Sequence, residues 1–347
     1  MPLRSPIVSL TALLSTISLA ACAGGSAGPS ALLPVAAPAM PGRTSQLAAP
    51  DSMVYVASRD VNAVLGFPRT AHGNATPAIT IAGSKTQLSE PDALALDSKS
   101  GNIYVVNDGG QGPLSSEVLI FPKGANGNVP PQTLSGSKVP IRGSEGIALD
   151  ASGEIYVSDY SARAVYVFPA GASGNTAPIR TIAGSKTLLT QPSGLAFDAA
   201  GNLWITNTQN TTAPILEFAP NANGNVAPIA TIGGVHTKLG TGVFNVSIDA
   251  KGSIIVPNFT SVEVFHAGSH GDVAPAATID GAATTLMDVL SVGSDEKSNI
   301  YVTNYEPRTG VSSLVTFGPH ARGNHAPLRV ISGSNADLAV PVYPSFY

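Results

Sequence analysis

The sequence predicts an all-β protein, a six-bladed β-propeller of four-stranded blades. Three observations predict it. A strand ending in Phe recurs at Phe67, Phe121, Phe168, Phe218, Phe265 and Phe317, with spacings of 54, 47, 50, 47 and 52 residues. The 347 residues include 36 Gly and 28 Pro, with 43% hydrophobic and only 12% charged residues, which disfavours both helical bundles and disordered chains. Finally, the two ends of the repeat region complement each other. Residues 341–347 read as a first strand with no second strand after it, and residues 51–56 read as a second strand with no first strand before it. A net charge of -4 with 18 Lys+Arg gives no basic surface for a nucleic-acid backbone, so nucleic acid is not expected as a partner.

Residues 1–21 read as an export signal, with Arg4 as the positive region and Ile7 to Leu19 as an apolar segment too short to span a bilayer. The segment ends Leu19-Ala20-Ala21-Cys22, which resembles the bacterial lipobox. That resemblance implies lipidation of Cys22, the only cysteine in the chain, and anchoring in a membrane by several acyl chains. No disulfide is then available to support the fold. Residues 22–50 are dominated by Ala, Pro, Gly and Ser, without periodicity, and read as a tether. The expected location is the bacterial cell envelope, outside the cytoplasm. Ala23, rather than Asp, follows Cys22, which favours the outer membrane where the host has one.

Residues 51–347 form the propeller. Each repeat holds four short runs rich in Val, Ile, Tyr and Phe, here called strands A to D, with A innermost. In the clearest copy they are Leu195–Phe197, Leu203–Thr206, Val165–Phe168 and Ile179–Ile182. Strand A ends on an Asp in five copies (Asp97, Asp150, Asp198, Asp249, Asp295), and in four of them a Gly three or four residues later fits a tight A–B hairpin. Recurrence in so many blades marks that Asp as a turn cap. A strand A at the C-terminus joined to strands B, C and D at the N-terminus closes the ring and leaves no open sheet edge.

Pro192-Ser193-Gly194-Leu195-Ala196-Phe197-Asp198, followed by Gly201-Asn202-Leu203-Trp204-Ile205-Thr206-Asn207, resembles the repeat pattern of NHL-type propellers and is similar to gluconolactonase-like six-bladed propellers. The likeness covers residues 51–347 and is specific for architecture rather than activity. In gluconolactonase-like proteins, calcium sits at the axial mouth, on residues at the x of P-x-G. Here these positions hold Asp92, Glu145, Ser193, Phe244, Leu290 and Val342. The resemblance implies Asp92 and Glu145 as metal ligands, but calcium takes 6–8 oxygens and three of the remaining positions are apolar. No cofactor is therefore expected, with calcium as the alternative.

Loop lengths indicate the functional face. The C–D and D–A connections are nearly constant, whereas the stretch from the end of strand B to the Phe holds 8, 13, 8, 10, 6 or 12 residues. Variable loops over a fixed scaffold usually carry function. The longest are Asp108–Ile120, Thr208–Glu217 and Tyr305–Thr316. Asn107, Asp159, Asn207, Asn258 and Asn304 close strand B and, with Asp92 and Glu145, rim this face as candidate binding residues. His266, His270, His320 and His325 fall in C–D turns, where zinc would need a further ligand such as Asp272. A virginiamycin-lyase-like reaction would need a His on the strand A and B–C face, and none falls there. Catalytic residues are unassigned. The expected function is a membrane-anchored, monomeric binding or scaffold module that takes a protein or glycan ligand on the B–C face. The alternative is a calcium-dependent lactonase- or esterase-type hydrolase with an axial metal site.

Overall fold

The computed structural model describes residues 52–109 and 116–347. The signal segment, Cys22 and the tether up to residue 50 lie outside the described residues.

Six four-stranded antiparallel sheets form the six blades of a propeller. Blades 1 to 5 are residues 91–134, 144–183, 192–232, 247–279 and 288–332, each in the order A-B-C-D. The closing blade takes strand A from Pro341–Ser345 and strands B to D from Met53–Ser58, Ala63–Pro68 and Ile79–Ile81. Its register pairs Ser58 with Pro341 and Ala57 with Val342, as the two complementary ends of the repeat required.

The blade pattern follows from alternation and turn chemistry. The six strand C Phe residues have no accessible surface and fill the spaces between blades. The strand A Asp residues cap the A–B hairpins. Asp150 Oδ1 accepts from the N–H groups of Ser152 and Glu154 at 2.9 Å each, and Asp198 repeats this toward Ala200 and Asn202.

Two features of the assembly escape a strand-by-strand reading. First, each C–D connection climbs beside the preceding blade's strand D and forms a parallel bridge to it, such as Ile81 with Gly127 and Ile182 with Gly224. An Asn one residue on, or Asp272 in blade 4, then accepts from the preceding D–A loop. Asn128 Oδ1 binds Lys85 N–H at 2.7 Å and Asn175 Oδ1 binds Lys138 N–H at 2.7 Å. Gly83, at φ +114, leaves room for this, since a Cβ there would lie 2.6 Å from Asn128 Cγ. These ties cover every outer sheet edge. Second, strand A carries a bulge. Pro91 pairs with Asn107 and Ala93 with Val106, so Asp92 is an extra, unpaired residue; Glu145 and Leu290 occupy the same situation. A bulge re-aims its side chain, and here it fixes the residue at the axial mouth.

One loop expectation is corrected. Tyr305–Thr316 is not a loop, because strands Ile300–Glu306 and Val311–Phe317 extend into a hairpin with Glu306 paired to Val311. Likewise, Glu117–Phe121 and Ile215–Phe218 are strand C rather than loop. In blade 4, strand A is reduced to Ser247–Ile248, where Gly242-Val243-Phe244-Asn245 departs from the repeat pattern.

Candidate functional site

The face carrying the B–C and D–A loops has a depression on the axis, built by the bulged starts of strand A. Asp92 and Glu145 enter it from adjacent blades. Arg59 enters from the closing blade, just past the end of strand B, where the other blades carry Asn or Asp one position earlier. Its guanidinium donates to Glu90 Oε2 at 2.9 Å and lies 3.1 Å from Asp92 Oδ1. Ser116 Oγ donates to Asp108 Oδ1 at 2.8 Å, and Ser193 Oγ reaches Glu145 Oε2 at 3.4 Å.

The electrostatics are those of a desolvated acidic pocket. Burial pushes the Asp92 carboxyl well above its ordinary range, with Glu145, Asp108 and Glu90 adding to the effect and Arg59 opposing it. Burial likewise raises Asp108 and Glu145, again against Arg59. One guanidinium thus serves four carboxylates.

Tyr343 forms the floor. Its backbone is left-handed at φ 49, its N–H donates to Ser291 Oγ at 2.7 Å, and its hydroxyl spans to the carbonyl of Phe244 at 3.3 Å. Ser193 Oγ donates to the same carbonyl at 2.7 Å. Burial, followed by the charge on Glu145, pushes the phenol upward, so it stays a neutral donor. On the far side of Tyr343, the six strands A line an axial cavity of about 230 Å³, bounded by residues such as Leu94, Ile147 and Val292. Around the mouth, Phe244, Tyr160 and Phe259 expose aromatic surface, and Tyr160 lies within electrostatic reach of Glu145, Asp108 and Asp92.

The remaining candidate rim residues face their own blades. Asn107 accepts from Ser89 N–H and donates to the Gln87 carbonyl. Asn207 bonds Thr190, Gln191 and Leu188, Asn304 bonds Met287 and Thr285, and Asn258 bonds Gly240 and Lys238. Asp159 accepts from the N–H groups of Arg142 and Ala162. Each fastens a D–A loop, a B–C loop or both to the end of strand B.

Asp92 faces a guanidinium, Glu145 faces a hydroxyl, and Phe244 takes part in the depression through its carbonyl, which already accepts three bonds. Among the described residues no three His, Cys, Asp or Glu side chains converge as a metal would need. These residues do not fit a calcium ion, which takes 6–8 oxygens. Of the C–D turn residues, Asp272 pairs with His236 of the preceding D–A loop at 2.8 Å, and His270 lies 3.1 Å from the Gly268 carbonyl.

Sequence reasoning missed Arg59 and Tyr343. The signal for Arg59 was present, because Ser58-Arg59 breaks the Asn/Asp rule at the end of strand B.

No family model and no curated protein sequence matches the chain. Solved structures share its fold. A protein of unknown function from Bacteroides caccae superposes with a TM-score of 0.57 at 9% identity, over 84% of this chain and 97% of that one. A candidate 6-phosphogluconolactonase from Bacteroides uniformis gives 0.54 at 14% identity, over 82% and 84%. A streptogramin B lyase gives 0.51 at 12% identity, over 86% and 89%. Such identities establish shared architecture and nothing about activity.

Proposed function

We propose that this propeller is a binding module whose ligand docks on the B–C and D–A face, held to the bacterial envelope by a lipidated Cys22. The observation that supports it is the axial depression, where Glu90, Asp92, Asp108 and Glu145 share the single cation Arg59 beside exposed Tyr160 and Phe244. Desolvated carboxylates gain most from a ligand that brings positive charge, and aromatic faces beside them favour the same ligand. The ligand is therefore a protein segment bearing Lys or Arg, or an amine-bearing glycan. The test uses fluorescent tetralysine and chitotetraose-amine probes in anisotropy titrations. Saturable binding that weakens at least tenfold in Glu145→Gln and Asp108→Asn supports the reading. Binding that is unchanged in both variants, or absent for both probes, overturns it. The anchor is tested by intact mass of the membrane fraction with and without Cys22→Ser.

A further inference from the structure

Tyr156 and Tyr301 stand at the same position of strand B in blades 2 and 5. Across the sheet each aligns with an Arg at the start of strand D: Tyr156 with Val167 and Arg180, Tyr301 with Thr316 and Arg329. The other four blades carry Ile79, Gln132, Ala230 and Ala277 at that strand D position. The two arginines therefore share one environment, and they can be compared within one molecule.

In blade 2 the guanidinium is neutralised at home. Arg180 forms a two-pronged pair with Glu154, donates to the Tyr156 hydroxyl at 2.8 Å, and lies 5.8 Å above that ring. In blade 5 the residue corresponding to Glu154 is Asn299, and its amide is committed to Asp295 at 2.8 Å. Among the described residues the Arg329 side chain makes no hydrogen bond and no ion pair; its Nε is buried without a partner, as is that of Arg180, so what blade 5 lacks is the carboxylate that Glu154 gives the Arg180 Nη groups. A guanidinium left without an acceptor in a partly buried position is unfavourable, and a ligand that supplies one relieves it. Tyr301 does not take the role Tyr156 plays: its hydroxyl donates to Asp295 Oδ2 at 3.3 Å and accepts nothing from Arg329.

The space beside Arg329 is open. A cavity of about 550 Å³ at the seam between blade 5 and the closing blade is lined by Arg329, His72, Thr70 and Gly73, with Pro327 and Leu328 as an apolar wall. Arg69, also contributed by the closing blade, reaches the same seam from the Tyr301 side and holds a buried, unpartnered Nη2, while its Nη1 pairs with Glu296. No carboxylate lines the cavity.

We propose that this seam is an oxyanion site, with the Arg329 guanidinium as its anchor and the Thr70 hydroxyl and His72 imidazole as further donors, and that it takes a phosphate group. A planar guanidinium suits a phosphate through paired donors, and the ligand supplies the acceptor that Glu154 supplies in blade 2. The site lies on a different part of the propeller from the acidic depression and does not depend on that reading.

The full chain is titrated calorimetrically with inorganic phosphate, and is separately assayed for co-sedimentation with phosphatidic acid vesicles over a phosphatidylcholine background. Arg329→Gln removes the anchor. Asn299→Glu rebuilds the blade 2 pair and leaves the fold intact or stabilised. The expected result is saturable phosphate binding that weakens at least tenfold in both variants, with the Arg180→Gln variant binding as the parent does. Free phosphate binding assigns a soluble source, and phosphatidic acid capture without it, lost in both variants, assigns a lipid headgroup. An adventitious charge effect, seen as non-saturable binding or as binding unaffected by Asn299→Glu, overturns the proposal, as does failure of both probes.

Discussion

Replacing Arg59 by Met keeps the volume of the side chain and removes the cation that, among the described residues, faces four carboxylates. Breaking a fully buried ion pair costs about 3–5 kcal/mol, and breaking an exposed one about 0.2–1 kcal/mol. Arg59 lies between these limits, since its side chain is 27% exposed, with Glu90 at 46% and Asp92 at 14%. The Glu90 contact contributes at the exposed end and the Asp92 contact nearer the buried end. Together they set the expected loss at about 2 kcal/mol at pH 8. The loss has a definite pH dependence. Burial already holds the native Asp92, Asp108 and Glu145 carboxyls above their ordinary values, and Arg59 lowers all three. Without Arg59 the native values rise further, so the folded variant binds protons that the unfolded chain does not. Its deficit is full above the variant's native values, shrinks as pH falls through them, and is gone below the parent's native values, because the two unfolded chains titrate these carboxyls alike. Urea unfolding of parent and variant at pH 8, 6 and 4.5, with an unchanged m-value, measures this directly. A deficit that stays constant with pH, or grows in acid, would refute the account of the depression as a desolvated acidic pocket.

Gly146→Ala places a Cβ 2.2 Å from the Ser193 carbonyl oxygen, a backbone atom that cannot step aside, and should cost about 3 kcal/mol in chemical denaturation. Asn175→Ala removes the acceptor of the Lys138 N–H and should cost about 1 kcal/mol, with faster hydrogen exchange at Lys138; unchanged protection would show that the tie between blades carries no load.

The architecture was legible because every blade repeats the same local decisions. Asp198 caps a hairpin wherever an Asp stands at that position, and the strand C Phe fills the same space in every blade, so one copy reads the others. Asp92 and Glu145 were legible as axial residues because the bulge recurs. Their neighbours were not. Arg59 meets Asp92 across a blade boundary, Tyr343 spans from the closing blade to the Phe244 carbonyl in blade 4, and the Asn ties run between successive repeats. None of these contacts has a local signature, because side chains from different blades meet only after the ring has closed. The five residues at the end of strand B illustrate the opposite error. They stand at the ends of strand B, but their side chains are occupied in holding D–A and B–C loops in place.

The closing blade makes the propeller a check on the integrity of its own chain. Residues 341–345 supply the innermost strand of a sheet that residues 53–81 begin, and Ser345 and Tyr347 also bond the Leu94 and Gly101 carbonyls in blade 1. A polypeptide that ended a few residues early would lose more than a rim. Met53–Ser58 would have no inner neighbour, and its sheet would stand open at that edge, a state prone to proteolysis and edge-to-edge aggregation. Closure needs residues 341–345 beside residues 53–58, so the longest-range strand pairing of the described fold is the one that completes the ring.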